Sequence, residues 1–400
     1  MIVIHPFKAW RPKPEIVEQI ACVPYDVIDT DEARILAQGR PDSFLHVIRP
    51  EIDLPEGTDL YSNAVYHTGA ANLKMMQDEG KLMQDPQPGL YLYQQQMGTH
   101  TQTGLYACAS VRDYDENRIL KHELTRPDKE DDRTRHILTQ RAHAEPVMLT
   151  YKSTGAITRL TNQTLSGTDP VYSFTATDGV IHRVWKVEDP GAFVDAFREV
   201  EKLYVADGHH RCKSASRVAE QLREGDYGDE EFEFFPAVII PMDEMRILAY
   251  NRIVKVVPDG FLDALKASFA LREDVQPLPK APGSVCLYLG GKWYGLDLPE
   301  STSGDVVEQL DVSRLHRHLL LPLLGIENQR TDPNIGFVGG IRGTEELERL
   351  VDSGKAQLAV SMYPTSIEEL MAVSDNDQLM PPKSTWFEPK LRSGLLVHTF

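Results

Sequence analysis

Four hundred residues, 41% apolar and 26% charged, are ordinary proportions for a soluble globular chain, with room for about two or three domains or one large elaborated domain. A net charge of −18 opposes a protein whose main work is gripping nucleic-acid phosphates or an anionic membrane, although it leaves space for a local basic pocket around a small anion. No window approaches the roughly 18 apolar residues of a membrane span, the start MIVIHPFKAWRPKPEI does not read as a signal peptide, and the four scattered cysteines contain no C-x-x-C, so a reducing cytoplasm is the expected setting.

The first 55 residues are punctuated by proline. Within them DEARILAQ reads as a short helix with Asp31 as its cap. A longer helix is expected from about Tyr61 to Glu79, with Ala64, Ala71 and Leu73 among its buried positions. The period then changes. GLYLYQQQ and GLYACASVRDY alternate like strands, and VYSFTATDGVIHRVWKV reads as a hairpin turning at Asp178-Gly179. KLYVA (202–206) reads as a short buried strand, after which Ala215, Val218, Ala219 and Leu222 follow helical spacing. FFPAVIIPM and LAYNRIVKVV are further strands. From about Gly260 the composition resets: a helix GFLDALKASFA, a proline-rich linker, a hairpin VCLYLGGKWYGLDL turning at Gly290-Gly291, a helix near DVSRLHRHLLLPLLG, and a tail that alternates strand, helix, loop and strand. The pattern implies a mixed α+β fold: a main domain over 1–260, an auxiliary α/β unit over 261–354, and a segment 355–400 returning to the main domain.

The densest chemistry is DGHHR, residues 207–211, at a strand-to-helix junction. A helix N-terminus presents unpaired amides and the positive end of a dipole, which together hold phosphate or carboxylate. Gly208 permits close backbone approach, and Arg211 can add a two-pronged contact to phosphate oxygens. His209 or His210 can move a proton near neutral pH, and Asp207 can cap the helix, bind Mg²⁺ or accept a proton. The plainer reading is a capped helix with surface histidines. Zinc is disfavoured, because adjacent histidines point differently and the usual pair is several residues apart.

Three other clusters carry polar side chains. KHELTRPDKEDDRTRHILTQR (121–141) offers Glu123 as a base or metal ligand and His122, Thr125 and Arg133 as substrate contacts; its plainer reading is a solvated loop entering an exposed helix. MPPKSTWFEPK (380–390) offers Lys383, Ser384 and Thr385 to an anion, without the glycines that bend a P-loop, and is otherwise a rigid turn. The proline-fixed start contributes His46 and Arg49 as further substrate contacts. Whether DGHHR, HELT and PPKST converge is left open by spacing alone.

Taken together, HPFKAWRP, VPYDVID, SFLHVIRPEIDLP, HELTRPDKEDDR, YVADGHHR, PTSIEELMAVSDNDQLMPPKSTWFEPKL and GLLVHTF resemble, over nearly the full length, the domain-of-unknown-function family "ten-fifteen". The strand–DGHHR–helix unit is also similar to the nucleotide-binding corner of the ParB/sulfiredoxin-like superfamily, which includes CTP-binding partition proteins, sulfiredoxins and a free-serine kinase. That resemblance implies a ParB/sulfiredoxin-like core whose DGHHR junction holds nucleotide phosphates. Sulfiredoxin chemistry is disfavoured, since His209 stands where the reactive cysteine would be, and no basic helix-turn-helix is present. The expected function is a nucleotide-dependent, kinase-like phosphotransferase acting on a small hydroxyl metabolite, with free serine the acceptor suggested by the resemblance and ATP or ADP with Mg²⁺ as cofactor. The rivals are a phosphoserine-type phosphatase using a histidine phosphoenzyme or metal-activated water, and a non-catalytic nucleotide sensor. The expected partners are the small substrate and the nucleotide, without nucleic acid or membrane.

Overall fold

A computed structural model describes residues Met1–Phe400 as two compact units. The first comprises Met1–Met245 and Pro389–Phe400, the second Arg246–Glu388. The second unit begins before the expected 261 because the strand Tyr250–Val254 finds its hydrogen-bonding partners in Ile335–Gly339 and Leu358–Met362. Local composition cannot reveal partners about a hundred residues away.

The first unit is built on a nine-stranded sheet. Its strands are β1 (Ile4–His5), β2 (Tyr91–Met97), β3 (His100–Ser110), β4 (Ile119–Leu120), β5 (Val147–Tyr151), β6 (Tyr172–Thr175), β7 (Ile181–Lys186), β8 (Leu203–Asp207) and β9 (Phe234–Pro241). Their order is β4-β8-β5-β9-β3-β2-β7-β6, with β1 added alongside β3. The pairs β8/β4 and β9/β5 are parallel and the rest antiparallel, so the sheet is mixed. FFPAVIIP lies at the centre and is buried on both faces, which explains its unbroken apolar run. The β6–β7 hairpin turns at Asp178-Gly179 as expected, with Gly179 at φ +80°.

Three helices matter for the site: α1 (Asn63–Asp78), α2 (Pro127–Gln140) and α3 (His209–Leu222). Of the burial expected in α1, Leu73 holds, whereas Ala64 and Ala71 face solvent. The buried stripe runs instead through Val65, Tyr66, Gly69, Leu73 and Met76, which share one helical face that Ala64 and Ala71 do not. The helix Thr30–Ala37 is capped by Asp29, not Asp31: Asp29 accepts from the Glu32 amide while Glu32 reaches back to the Asp29 amide.

Gly104, in the middle of β3, shows how tightly this sheet is covered. A Cβ there would lie 2.6 Å from Val238 Cγ1 and 2.7 Å from Ile240 Cγ1. Gly104→Ala is expected to lower stability by about 1–3 kcal/mol, through forced displacement of β9. Urea unfolding reads this as a fall in midpoint without a change in slope.

The second unit carries an antiparallel six-stranded sheet of β10 (Tyr250–Val254), β11 (Arg272–Glu273), β12 (Ser284–Leu289), β13 (Lys292–Asp297), β14 (Ile335–Gly339) and β15 (Leu358–Met362), ordered β11-β13-β12-β15-β10-β14. The β12–β13 hairpin turns at Gly290 and Gly291, both at positive φ as a tight two-residue turn requires. No helix in either unit is long and apolar enough to cross a membrane.

Candidate functional site

β8 ends at Asp207 and α3 begins at His209, with only Gly208 between them. The register of β8 on β5 shifts between Val205 and Asp207, a bulge that re-aims the strand's last side chain. Gly208 holds φ +97°. A Cβ at that position would also meet Val147 Cγ1 at 3.0 Å and the Arg211 guanidinium carbon at 3.2 Å. Glycine is therefore required both by the backbone and by the side chain packed beneath it. The Cys212 amide is the first to return to a helical acceptor, the Gly208 carbonyl at 2.9 Å. The amides of His209, His210 and Arg211 form the first turn that no α-helix can pair internally, at the positive end of the α3 dipole.

Arg211 does not extend toward this mouth. It is buried, and its guanidinium folds back under Gly208. Nη1 donates to the Pro146 carbonyl, while Nη2 lies 3.7 Å from Asp26 and 3.8 Å from Asp207. Burial would lower its pKa, but the carboxylates of Asp26, Asp207 and Glu145 hold it above the usual arginine range. The two-pronged phosphate contact expected of Arg211 is thus replaced by an internal role, since three carboxylates already surround the guanidinium.

Lys390 is a second cation beside Asp207. Its Nζ lies 3.2 Å from Asp207 Oδ2, and its carbonyl accepts from the Gln95 side-chain amide at 2.8 Å. Burial pushes the Asp207 carboxyl up, and the charges of Lys390 and Arg211 outweigh it, lowering its pKa from 3.8 to about 2. A carboxyl that ionises more easily folded than unfolded stabilises the fold above its unfolded pKa. That stability is lost as pH falls from about 4 through about 2, and is worth about 2 kcal/mol. Lys390→Met is expected to shift acid unfolding, followed by circular dichroism, to higher pH.

HELT does meet DGHHR. The His122 and His209 rings pack edge to face with centroids 4.4 Å apart, and both are buried. His209 Nε2 receives the His122 amide at 3.5 Å, and its Nδ1 lies 3.9 Å from Glu123 Oε2, close enough for attraction but too long for a hydrogen bond. Burial, with the nearby positive charges, pushes His209 down to about 3, so it is neutral at physiological pH. Burial likewise holds His122 well below its ordinary value. His210 Nε2 accepts the Arg126 amide at 3.1 Å, fixing the start of α2 against α3. Glu123 remains half-buried beside the pair, its side chain 35% exposed. Thr125 donates to Glu130 at 2.6 Å and tightens the first turn of α2.

The remaining predicted contacts have internal partners or belong to the second unit. Arg133 is buried, donates twice to Asp132 Oδ2 at 2.9 and 2.7 Å, and stacks over Tyr25 at 4.1 Å. With Arg211, Glu145, His136 and His143 it lines an interior cavity of about 30 Å³, room for a water or two but not for a metabolite. His46 is spent on Asp53 at 2.7 Å, and Arg49 on Glu51 at 3.0 Å and Thr30 at 3.2 Å, so both brace the N-terminal loops. Lys383, Ser384 and Thr385 belong to the second unit. There Lys383 takes φ +59° with its Nζ 5.4 Å from the Tyr250 ring, and Ser384 Oγ donates to the Pro381 carbonyl at 2.7 Å within the turn. No group of three or more His, Cys, Asp or Glu side chains is arranged to hold a metal ion.

The family described as a protein of unknown function, DUF1015, matches residues 4–313. The chain belongs to the DUF1015 family. None of the curated proteins matches this DUF1015 chain. Solved structures similar to it include a free serine kinase in complex with AMP (13% identity, TM-score 0.37, 72% of this chain and 92% of that one). Others are a conserved hypothetical protein from Pyrococcus furiosus (14%, 0.36, 72% and 95%) and C-terminally truncated SbnI from Staphylococcus aureus (12%, 0.38, 72% and 85%). These likenesses are distant.

Proposed function

We propose that the β8–α3 junction holds the phosphates of a nucleotide and that the protein transfers a phosphoryl group to a small hydroxyl compound. The observation that carries this reading is the grouping, at one helix N-terminus, of a left-handed glycine, a lysine and two carboxylates: Gly208, Lys390, Asp207 and Glu123. Phosphoryl transfer needs positioning and charge neutralisation more than covalent chemistry by the protein. The first-turn amides and dipole suit phosphate oxygens. Lys390 adds a positive charge beside them. Glu123, partly solvated at the mouth, is suited to accept the proton of an attacking hydroxyl. Mg²⁺ carried by the nucleotide would neutralise phosphate charge, held by the phosphates and one or two carboxylates rather than by a protein cage. Asp207 is the carboxylate best kept ionised for that contact.

The geometry at His209 favours transfer over a phosphoenzyme on that residue. His209 is buried with Nε2 on the His122 amide and Nδ1 toward Glu123, so neither nitrogen is presented to an incoming phosphate. His209 instead supports the loop that carries Glu123. Free serine is the first acceptor to test, on the resemblance of the DGHHR unit to serine-kinase-like sequences.

The test is ATP consumption with Mg²⁺, with and without L-serine, alongside phosphate release from phosphoserine. The proposal expects ADP formation that depends on a hydroxyl acceptor and is lost in Glu123→Gln. Phosphate release from phosphoserine without nucleotide would assign a phosphatase instead. Nucleotide binding without turnover against any acceptor would assign a sensor.

A further inference from the structure

The extended segment that brings Lys390 to Asp207 places Arg392, two residues on, at a different position in the first unit. Arg392 is 5% exposed. Its amide donates to the Tyr93 hydroxyl oxygen at 3.3 Å, its Nε donates to His182 Nε2 at 3.3 Å, and its Nη2 pairs with Asp178 at the tip of the β6–β7 hairpin. Arginine cannot accept a hydrogen bond, so His182 Nε2 must be bare and the ring proton must sit on Nδ1. That proton points at the Tyr93 oxygen, 2.7 Å away. Burial, reinforced by the Arg392 charge, lowers the His182 pKa to about 3, which keeps the ring neutral and this arrangement fixed. The guanidinium is thus clamped on two of its three nitrogens.

The third nitrogen, Nη1, makes no hydrogen bond and is not sealed from solvent. Arg392 lines a cavity of about 310 Å³. Ala21, Cys22, Leu36, Leu45 and Phe174 supply apolar walls. Arg40 also lines it, its Nη2 tied to the Glu18 carbonyl at 2.6 Å.

We propose that this cavity binds a small monocarboxylate with a compact apolar body. Its volume is at the lower end of small-molecule sites, about 300–1,000 Å³, and such sites pair apolar walls with a few fixed polar groups. A deeply buried guanidinium with an unfilled donor favours an anionic acceptor, which gains a charge-assisted hydrogen bond. Asp178 already neutralises part of the same guanidinium, and Glu18 stands at the cavity. Both select against a doubly charged anion such as phosphate. The inference is independent of the phosphotransfer reading, since it uses none of the residues assigned there.

Isothermal titration of the full chain with benzoate and with benzamide, its neutral isostere, tests the proposal. Benzoate is expected to bind, and benzamide to bind about tenfold or more weakly, since the charge-assisted contact is lost. Arg392→Gln should abolish the preference. Because Arg392 also anchors Asp178 and His182, Leu36→Glu provides the second arm: Leu36 is 38% exposed, so the variant should fold, and its carboxylate should repel benzoate from the cavity. Equal binding of benzoate and benzamide would overturn the proposal. So would undiminished benzoate binding in Leu36→Glu, displacement of benzoate by equimolar inorganic phosphate, or binding of neither probe at millimolar concentration.

Discussion

Replacing Arg211 by alanine is expected to lower stability by about 3–5 kcal/mol, the range for removing one partner of a buried ion pair. The reason is what the guanidinium leaves behind. Asp26, Asp207 and Glu145 face it, and the Pro146 carbonyl accepts from it. Without it Asp207 keeps Lys390, but Glu145, whose pKa burial already raises, loses a compensating charge, as does Asp26. Arg211→Lys should recover only part of the loss, because a single ammonium cannot reach both the Pro146 carbonyl and the carboxylates in one geometry. Urea unfolding of wild type, Arg211→Ala and Arg211→Lys checks this order. Were Arg211 instead an outward phosphate ligand, both variants would be nearly as stable as wild type and would differ only in binding.

The second large effect falls on activity. Glu123→Gln is expected to reduce kcat by about 10²–10⁴, the usual contribution of a positioned base. Nucleotide affinity should change little, since the amides of α3 and Lys390 are untouched. Stability should hold as well: Glu123 is partly exposed and its approach to His209 is 3.9 Å. An unchanged kcat would move the base to Asp207. A collapse in nucleotide affinity with kcat intact would instead make Glu123 part of the nucleotide site.

The junction itself was legible in the sequence because each part is local. LYVA (203–206) is a four-residue apolar run, glycine follows the aspartate, and Ala215, Val218 and Ala219 repeat at helical spacing; all three prove buried. The electrostatics were not legible, because the partners are distant in the chain. Lys390 reaches Asp207 across 183 positions, from a loop next to a proline where spacing gives no cue. Asp26, in a short 3-10 helix, and Glu145, in a loop, reach Arg211 from two other parts of the chain, so an arginine suited to grip phosphate is consumed internally. The pairings of His46 with Asp53 and of Arg49 with Glu51 were hidden for a different reason: proline-rich punctuation does not advertise which nearby carboxylate a cation will meet. The contact of HELT with DGHHR follows from the parallel pairing of β4 with β8, which brings the chain after Leu120 alongside the end of β8. Short strands of two residues are the elements least visible to periodicity.

Binding of nucleotide phosphates at the first turn of α3 is the step on which the proposed phosphotransfer depends. The most direct measurement is amide chemical-shift mapping of the ¹⁵N-labelled chain during titration with ADP and Mg²⁺. The largest shifts should fall on the amides of Gly208, His209, His210 and Arg211, and should require higher ADP concentrations in Lys390→Ala. Saturable binding that leaves these amides unmoved, or no binding of ADP or ATP at all, would contradict the account and return DGHHR to a structural turn held together by Arg211.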